Sequence, residues 1–278
     1  MTARTTVRPP AVAGMFYPGE PHTLGRQIDE LLTRAQQADV AGEIVALISP
    51  HAGYMYSGFT AAKAYTLLQG KNYDSVVIVS PSHREYFDGI SVYDGDAYRT
   101  PLGEVPVDGD LRAAAVQGEK VIILSEIGHR QEHAVEVQLP FLQRVLGKIK
   151  VLPIVVGDQR REYCFHLGKK LAKILAGRRV LIIASTDLSH YYPYDTAVTL
   201  DQVIVGDVER FDYEQLMIDL ETERAEACGG GPTVAVLLAA HELGANVIRI
   251  LHVCNSGDVT GDRSGVVGYL SAAILRTS

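Results

Sequence analysis

The segments IVALISPHAGY (residues 44–54) and VVIVSPSH (residues 76–83) decide the fold class of this chain. Each begins with a short apolar, β-branched run and continues into serine and proline followed by a histidine. The runs are continuously apolar instead of alternating, which is typical of strands buried on both faces of a parallel sheet. Further runs, most of them near-continuously apolar, cover residues 121–124, 151–156, 180–183 and 248–253. The sequence therefore predicts a sheet that is covered on both sides.

Segments with helical spacing alternate with these strands. Apolar residues recur at that spacing over residues 22–38, 59–68, 133–146, 162–176 and 232–243. The alternation predicts an α/β fold, with a central, mostly parallel or mixed sheet flanked by helices on both faces. Turn residues within residues 90–107 predict a hairpin-like excursion. Because no linker or internal repeat divides the chain, we expect one domain over residues 1–278.

The composition excludes several classes of protein. The 278 residues include 26 Lys and Arg against 33 Asp and Glu, a net charge of −7 without a long basic run, which argues against nucleic acid as a partner. No apolar stretch is long enough to cross a bilayer, and the first residues lack the apolar core of a secretory signal. We therefore expect a cytoplasmic protein. The three cysteines have no CxxC spacing and do not indicate a disulfide framework.

Polar residues follow four of the apolar runs, at the positions where open α/β sheets bind ligands. His51 and His83 follow two of these runs in nearly the same pattern, which indicates a shared role. Two imidazoles and one carboxylate, with other positions open, are typical of non-haem Fe(II) sites. The candidate carboxylates are Asp258, Asp187 and Glu132. We predict Asp258, because a tight turn after the last apolar run would direct its side chain into the crevice; alternatively, Asp258 only caps that turn.

The segment STDLSH (residues 185–190) supplies candidate acid–base residues. A histidine that is not bound to metal, here His190, titrates near neutral pH, and Asp187 would orient it. Capping of a helix is the alternative role for Asp187. His133 is expected to support the pocket, and its EHxxE context differs from the HExxH pattern of zinc proteases. Tyr54 is expected to line the same pocket.

The segment CGGGP (residues 228–232) directly precedes a predicted helix. Free backbone amides near Gly231 would hold an anion or a substrate carboxylate, and a tight loop with positive φ explains the glycines equally well. No base for a Cys228 nucleophile is assignable from sequence, so we interpret this residue as a small hydrophobe, and Cys254 as part of the core.

Eight segments in chain order carry a resemblance to a known family. They are RPPAVAGMFYPG, PHAGYMYSG, PSH, YRTPLGEVPVD, QEHAVEVQLPFLQ, STDLSHY, CGGGP and NSGDVTGDRSGVVGY. Together they span nearly the whole chain, which is far more specific than any single motif. The chain resembles the Memo family, and in particular its prokaryotic form, the AmmeMemoRadiSam system protein B.

The resemblance implies a fold similar to that of the LigB-like class III extradiol dioxygenases, in which two histidines and a carboxylate hold Fe(II). His51 and His83 match the two histidine ligands, and His190 matches the catalytic histidine, with Asp187 beside it. Animal Memo has a cysteine where we align Asp258. Because a carboxylate is a harder ligand than a thiolate, we expect Fe(II), with Zn or Cu as the alternatives.

Three functions are consistent with these residues. The first is a metal-dependent, dioxygenase-like oxidoreductase of unknown substrate. The second is a non-enzymatic module that binds a peptide or a phosphorylated ligand in the same crevice. The third is a Zn-dependent hydrolase with His190 as proton shuttle. The resemblance also implies a pathway link to a radical SAM protein and an AMMECR1-like protein.

Overall fold

The computed structural model describes residues 6–36 and 40–277 and has the expected α/β fold. The strands are β1 Val7–Arg8, β2 Glu43–Ser49, β3 Ser75–Pro81, β4 Ile90–Tyr93, β5 Ala97–Thr100, β6 Gly103–Pro106, β7 Ile122–Ser125, β8 Val151–Val156, β9 Val180–Ser185, β10 His190–Tyr192, β11 Val247–Asn255 and β12 Val266–Arg276. The helices are α1 Pro21–Arg34, α2 Tyr54–Tyr65, α3 Gly109–Val116, α4 Leu139–Leu146, α5 Arg161–Leu175, α6 Tyr194–Glu209, α7 Tyr213–Glu221, α8 Gly230–Glu242 and α9 Ser256–Thr260.

One large mixed sheet forms the centre of the fold. Its strand order is β10-β12-β2-β9-β3-β8-β4-β7, and β11 pairs with β12. The central strands β2, β9, β3 and β8 are parallel, whereas β12 and β4 run antiparallel to their neighbours β2 and β8. Ser49 on β2 lies in register with Ser185 on β9, so these two strands end at the same level. The segments that follow β2, β9 and β3 therefore meet at one edge of the sheet.

Helices cover both faces of this sheet. On one face α8 packs against α5, α7 and β9, and its residues from Gly230 to Ala240 are all buried. On the other face α2 packs against α1 and α4. The prediction of a sheet flanked by helices on both sides is thus confirmed. Among the described residues, no helix is long and apolar enough to span a bilayer.

Some predicted elements begin or end elsewhere. The helix predicted over residues 22–38 starts at Pro21, because the Glu20 carboxylate accepts hydrogen bonds from the first amides, and it ends at Arg34; positions 37–39 lie outside the described residues. The helix predicted from residue 133 begins as a 3-10 turn at residues 136–138 and continues as α4. Within residues 90–107, β4 joins the large sheet, and β5 and β6 form a hairpin that pairs with β1 in a smaller sheet.

A buried ionic network, here called the Glu136 network, ties the N-terminal segment to the residues before α4. The Arg8 guanidinium donates to the Glu136 carboxylate at 2.5 Å, and both side chains are almost fully buried. Arg8 also donates to the backbone carbonyls of His129 and Glu132. The other donors to the Glu136 carboxylate are the Tyr17 hydroxyl and the amides of Ala11 and Val12.

Candidate metal centre

A cavity of about 790 Å³ lies at the edge where β2, β3 and β9 end. Its polar wall is formed by His51, His83, His133, Asp187 and His190. The aromatic part of its wall consists of Phe16, Tyr56, Tyr191 and Tyr269. The strand exits that the sequence singles out thus converge on one space, as the parallel strands at the centre of the sheet require.

Two histidines that line this cavity and a cysteine beside them bring potential metal ligands together. One donor atom from each of His51, His83 and Cys228 lies within 4.8 Å of the others. The Nε2 atom of His51 is 3.1 Å from the sulfur of Cys228, and the two histidine rings are 5.1 Å apart. Metal–nitrogen distances of about 2.1 Å and metal–sulfur distances of about 2.3 Å fit inside a group of this size. The donor set is therefore suited to a first-row transition metal.

Hydrogen bonds on the far side of His51 fix its tautomer. Its Nδ1 atom lies 2.9 Å from the hydroxyl of Ser185, which donates its single proton to the carbonyl of Ala134 at 2.7 Å. Since a serine hydroxyl has only one proton, Nδ1 of His51 must be the donor. The Nε2 atom that faces Cys228 is then unprotonated. Burial, together with the nearby His83, keeps the pKa of His51 well below its usual value, so the ring is neutral.

Glu132 holds His83 in a corresponding way. Its carboxylate accepts hydrogen bonds from Nδ1 of His83 at 2.9 Å and from the amides of His83, His133 and Ala134. Burial opposes ionisation, but these bonds, led by that from His83, lower the pKa of Glu132 to about 2. The ionised carboxylate keeps the proton on Nδ1 of His83 and leaves its Nε2 free. Carboxylates of this kind commonly orient the histidine ligands of metals.

His133 lies against both ligand histidines. Its ring stacks on that of His83 with a centroid distance of 4.7 Å, and it meets the ring of His51 edge-on at 5.4 Å. Burial and the neighbouring His51 lower the pKa of His133 to about 3, so this ring is also neutral. His83, Glu132 and His133 form a second group with donor atoms within 4.8 Å. Since Glu132 is already engaged by four donors, we regard this group as the support of the first.

Asp187 and His190 both line the cavity. The sequence suggests that Asp187 orients His190, but each of them has another hydrogen-bond partner. One oxygen of Asp187 accepts the backbone amide of His51 at 2.8 Å, and the other lies 4.0 Å from Nε2 of His51. Burial raises the pKa of Asp187. His190 has a different carboxylate beside it, because its amide donates to Glu226 and its Nδ1 lies 3.8 Å from the same oxygen.

Cys228 is not among the residues that line the cavity, but it lies next to His51 because α8 begins in close contact with β9. A Cβ atom on Gly229 would lie 2.4 Å from the carbonyl oxygen of Ser185, so only glycine allows this approach. The amide of Gly229 donates to Thr186, that of Gly230 to Ala227 and that of Gly231 to Gln159. These amides are therefore not free to bind an anion.

Three of the predicted site residues lie away from the ligand group or the cavity. Asp258 lies outside the ligand group, because one of its oxygens accepts the amide of Asn255 in the capping box of α9 and the other accepts the hydroxyl of Tyr194. Tyr54 is a core residue whose hydroxyl donates to the carbonyl of Val137, and Tyr56 faces the cavity instead. Gly231 lines a separate cavity beside Gln159.

The residue that sequence reasoning misses is Cys228. Burial raises the pKa of its thiol, so in the absence of a metal it carries a proton and donates it to the unprotonated Nε2 of His51. A signal was present: CGGGP is one of the eight segments that carry the resemblance, and a cysteine directly before a helix start lies at the same end of an α/β fold as the strand exits.

Comparisons with known proteins agree with the sequence segments. A family model described as "Memo-like protein" matches residues 8–273. A "MEMO1 family protein" of Methanocaldococcus jannaschii is 37% identical, covering 96% of this chain and 99% of that protein, and one of Aquifex aeolicus is 38% identical, covering 97% and 99%. An uncharacterised protein of Escherichia coli, JW3007, has a similar fold, with a TM-score of 0.56, 16% identity, and coverage of 84% of this chain and 100% of that one.

Proposed function

The chain belongs to the Memo family, and on that premise we propose that it is a metal-dependent oxidoreductase of the dioxygenase type. His51, His83 and Cys228 would hold Fe(II). One observation carries the proposal: the protein engages Nδ1 of each histidine, while one donor atom from each of His51, His83 and Cys228 lies within 4.8 Å of the others. When bound, the metal would supply Lewis-acid and redox chemistry to a substrate hydroxyl and O2 at its open positions.

The protein's own groups would place the substrate and move its protons. Asp187 fixes the backbone of His51, and Ser185 and Glu132 hold the two rings in the tautomer that ligation needs. His190 lines the same cavity and is not in the ligand group, so its ring is placed to accept or return a substrate hydroxyl proton. Glu226 accepts the backbone amide of His190 and keeps a carboxylate 3.8 Å from Nδ1 of its ring.

The third proposed ligand is now Cys228 and not Asp258, and this changes the argument about which metal is bound. A thiolate is softer than a carboxylate and binds Zn and Cu(I) readily, so hardness no longer singles out iron. We retain Fe(II) as the proposed metal because two histidines and one anionic ligand with open positions suit O2 chemistry. The same ligands would serve a Zn-dependent hydrolase, which would hydrolyse esters or amides without consuming O2. The alternative of a module that binds a phosphorylated ligand depended on free amides at residues 229–231. Because these amides donate hydrogen bonds within the protein, they no longer support it.

The test is anaerobic titration of the purified protein with Fe(II), and with Co(II) as a spectroscopic probe. We expect about one metal per chain, a thiolate-to-Co(II) absorption band, and loss of that band in Cys228→Ser with affinity at least about tenfold lower. Cys254→Ser is the matched control, because this half-buried cysteine lies outside the ligand group. Asp258→Asn should bind metal as the wild type does.

Activity is then measured as O2 uptake with catechols. His190→Ala should keep the metal and lose most of the uptake. The proposal fails if the wild type binds no metal, or if Cys228→Ser binds it as tightly as the wild type. Hydrolysis with bound Zn and no O2 uptake in the Fe(II) form would select the hydrolase.

A further inference from the structure

The wall of the cavity carries an unusual charge distribution for this chain. Among the described residues that line it, none is lysine or arginine, and two are carboxylates, Asp187 in the interior and Asp262 at the mouth. Other cavities differ: the one beside α1 is lined by Arg26, Arg34 and Arg144 among others. A ligand held above the metal centre would therefore meet negative groups and no fixed positive side chain.

Asp262 keeps its charge at the mouth of the cavity. Its carboxylate accepts the backbone amide of Ser264 at 3.0 Å and the hydroxyl of the same residue at 2.7 Å. These bonds lower the pKa of Asp262, so the group is ionised at neutral pH. An anionic substituent that extends to the mouth of the cavity would lie close to this carboxylate, with no lysine or arginine among the described lining residues to compensate it, which is unfavourable.

Tyr191 is placed at the same mouth by a strained backbone. Its φ is +63°, in the left-handed region that non-glycine residues rarely adopt. It stands at an irregularity in the pairing of β10 with β12, where His190 pairs with Val267 and Tyr192 with Val266. Such bulges redirect a side chain and are frequent beside active sites. The ring of Tyr191 is 79% exposed although it lines the cavity, which suits a surface that a ligand covers.

From these observations we infer the substrate class: an aromatic ring that bears no carboxylate or phosphate and that packs against Tyr191. The inference rests on the proposed function, since the ring's hydroxyls would be directed to the metal centre. Phe16, Tyr56 and Tyr269 provide further aromatic surface, and offset or edge-to-face ring contacts would retain the ligand. A neutral ring would be accepted, and a cationic substituent would be favoured by Asp262.

The experiment compares three catechols that differ only in charge: 4-methylcatechol, 3,4-dihydroxybenzylamine and 3,4-dihydroxybenzoate. Dissociation constants are measured anaerobically by ligand-observed NMR, with the Fe(II)-loaded and the metal-free protein. We expect the amine to bind about tenfold or more tightly than the benzoate, with the methyl compound between them. Asp262→Asn should reduce this ratio, whereas Asp110→Asn, on exposed α3, should not.

Tyr191→Gly removes the ring and suits the positive φ, so a change in binding reports the ring and not the backbone. All three ligands should bind about five- to tenfold more weakly. Tyr86→Ala is the control, because Tyr86 is equally exposed, at 79%, and lies outside the cavity.

The outcomes separate the two proposals. Benzoate binding as tight as amine binding, an unchanged ratio in Asp262→Asn, or the absence of binding by all three catechols would overturn the inference. If the protein binds no metal but the metal-free form keeps the ranking by charge and the dependence on Tyr191, the proposed function fails and the ligand class stands.

Discussion

Two groups of buried polar side chains, the Glu136 network and the metal-centre group of His51, His83 and Cys228, differ in their hydrogen bonding. Glu132, which holds His83, is only four positions from Glu136 in the sequence. In the Glu136 network, the carboxylate accepts hydrogen bonds from four donors. Arg8 donates hydrogen bonds to that carboxylate and to backbone carbonyls. In the metal-centre group, the protein binds Nδ1 of His51 and of His83, while Nε2 of His51 lies against the sulfur of Cys228. Burial alone therefore does not distinguish the two groups, but the convergence of two imidazoles and a thiol within 4.8 Å of one another does.

The largest expected effect is a loss of stability when the Arg8–Glu136 ion pair of the Glu136 network is broken. Glu136→Gln would leave the buried Arg8 without its counter-charge, and we expect a loss of about 3–5 kcal/mol in the free energy of unfolding. Urea unfolding followed by circular dichroism measures it. Asp29→Asn, in the exposed pair with Arg144, is the control and should cost less than about 1 kcal/mol. Equal losses in the two variants would refute the structural role assigned to the buried Arg8–Glu136 pair.

The next effect is on metal affinity, from weakening the support of His83. Glu132→Gln replaces the ionised acceptor of Nδ1 of His83 with a neutral amide, and we expect Fe(II) to bind about 10–100-fold more weakly. Anaerobic titration with a competing chelator gives the constant. An unchanged constant would mean that this carboxylate holds only the backbone.

A smaller effect on affinity is expected at His51. Ser185→Ala removes the acceptor that keeps the proton on Nδ1, and we expect about tenfold weaker binding, measured in the same titration. Ser49→Ala is a close control, because Ser49 faces Ser185 in register on β2 but does not contact the His51 ring through its hydroxyl. If both serine variants bind alike, the tautomer of His51 does not depend on Ser185.

The smallest expected effect is on the pH dependence of stability. It concerns Asp207, a buried carboxylate that is intermediate between the two groups because only one of its oxygens is hydrogen-bonded. Asp207 accepts a hydrogen bond from Arg210 at 2.6 Å through one oxygen, and its other oxygen is buried without a hydrogen-bond partner. Burial and the nearby Asp219 raise the pKa of Asp207 to about 6. The folded state thus holds this proton more tightly than the unfolded state, so stability should fall as the pH rises from about 4 to about 6 and then stay level.

Asp207→Asn should remove this pH dependence. We expect a gain of about 1 kcal/mol in unfolding free energy at pH 7, since solvent near the exposed Arg210 screens part of the effect. Urea unfolding at several pH values between 4 and 7 tests it. Asp74→Asn, in an exposed pair, should keep the wild-type profile. A wild-type slope in Asp207→Asn would contradict the assignment.

Sequence patterns predict the local part of this architecture well. The central strands and the positions of His51 and His83 follow from apolar runs and from the residues directly after them, because parallel strands bring their carboxyl ends together. Cys228 could not be selected in that way, since its position depends on how closely the first turn of α8 approaches β9. Asp258 was selected instead because a turn after a strand does not reveal whether its carboxylate will cap the following helix.

Similar reasoning explains the two tyrosines. Tyr54 and Tyr56 are two positions apart at the start of α2, so they point to different sides of the helix. Only the site of helix initiation, at Gly53, determines which of them enters the core. The family resemblance predicts two histidines and a carboxylate, whereas the tertiary packing brings Cys228 beside His51 and leaves Asp258 bonded to Tyr194.

The position of β2 in the sheet also bears on how the protein is made. Ala46 pairs on one side with Ile182 and on the other with Ile274, so both neighbours of this strand leave the ribosome long after it. At ordinary rates of translation, β2 is exposed for on the order of ten seconds before β9, the first of its neighbouring strands, is synthesised. Nascent chains of this protein should therefore engage chaperones through β2, and the binding cavity can be completed only after the late strands have emerged.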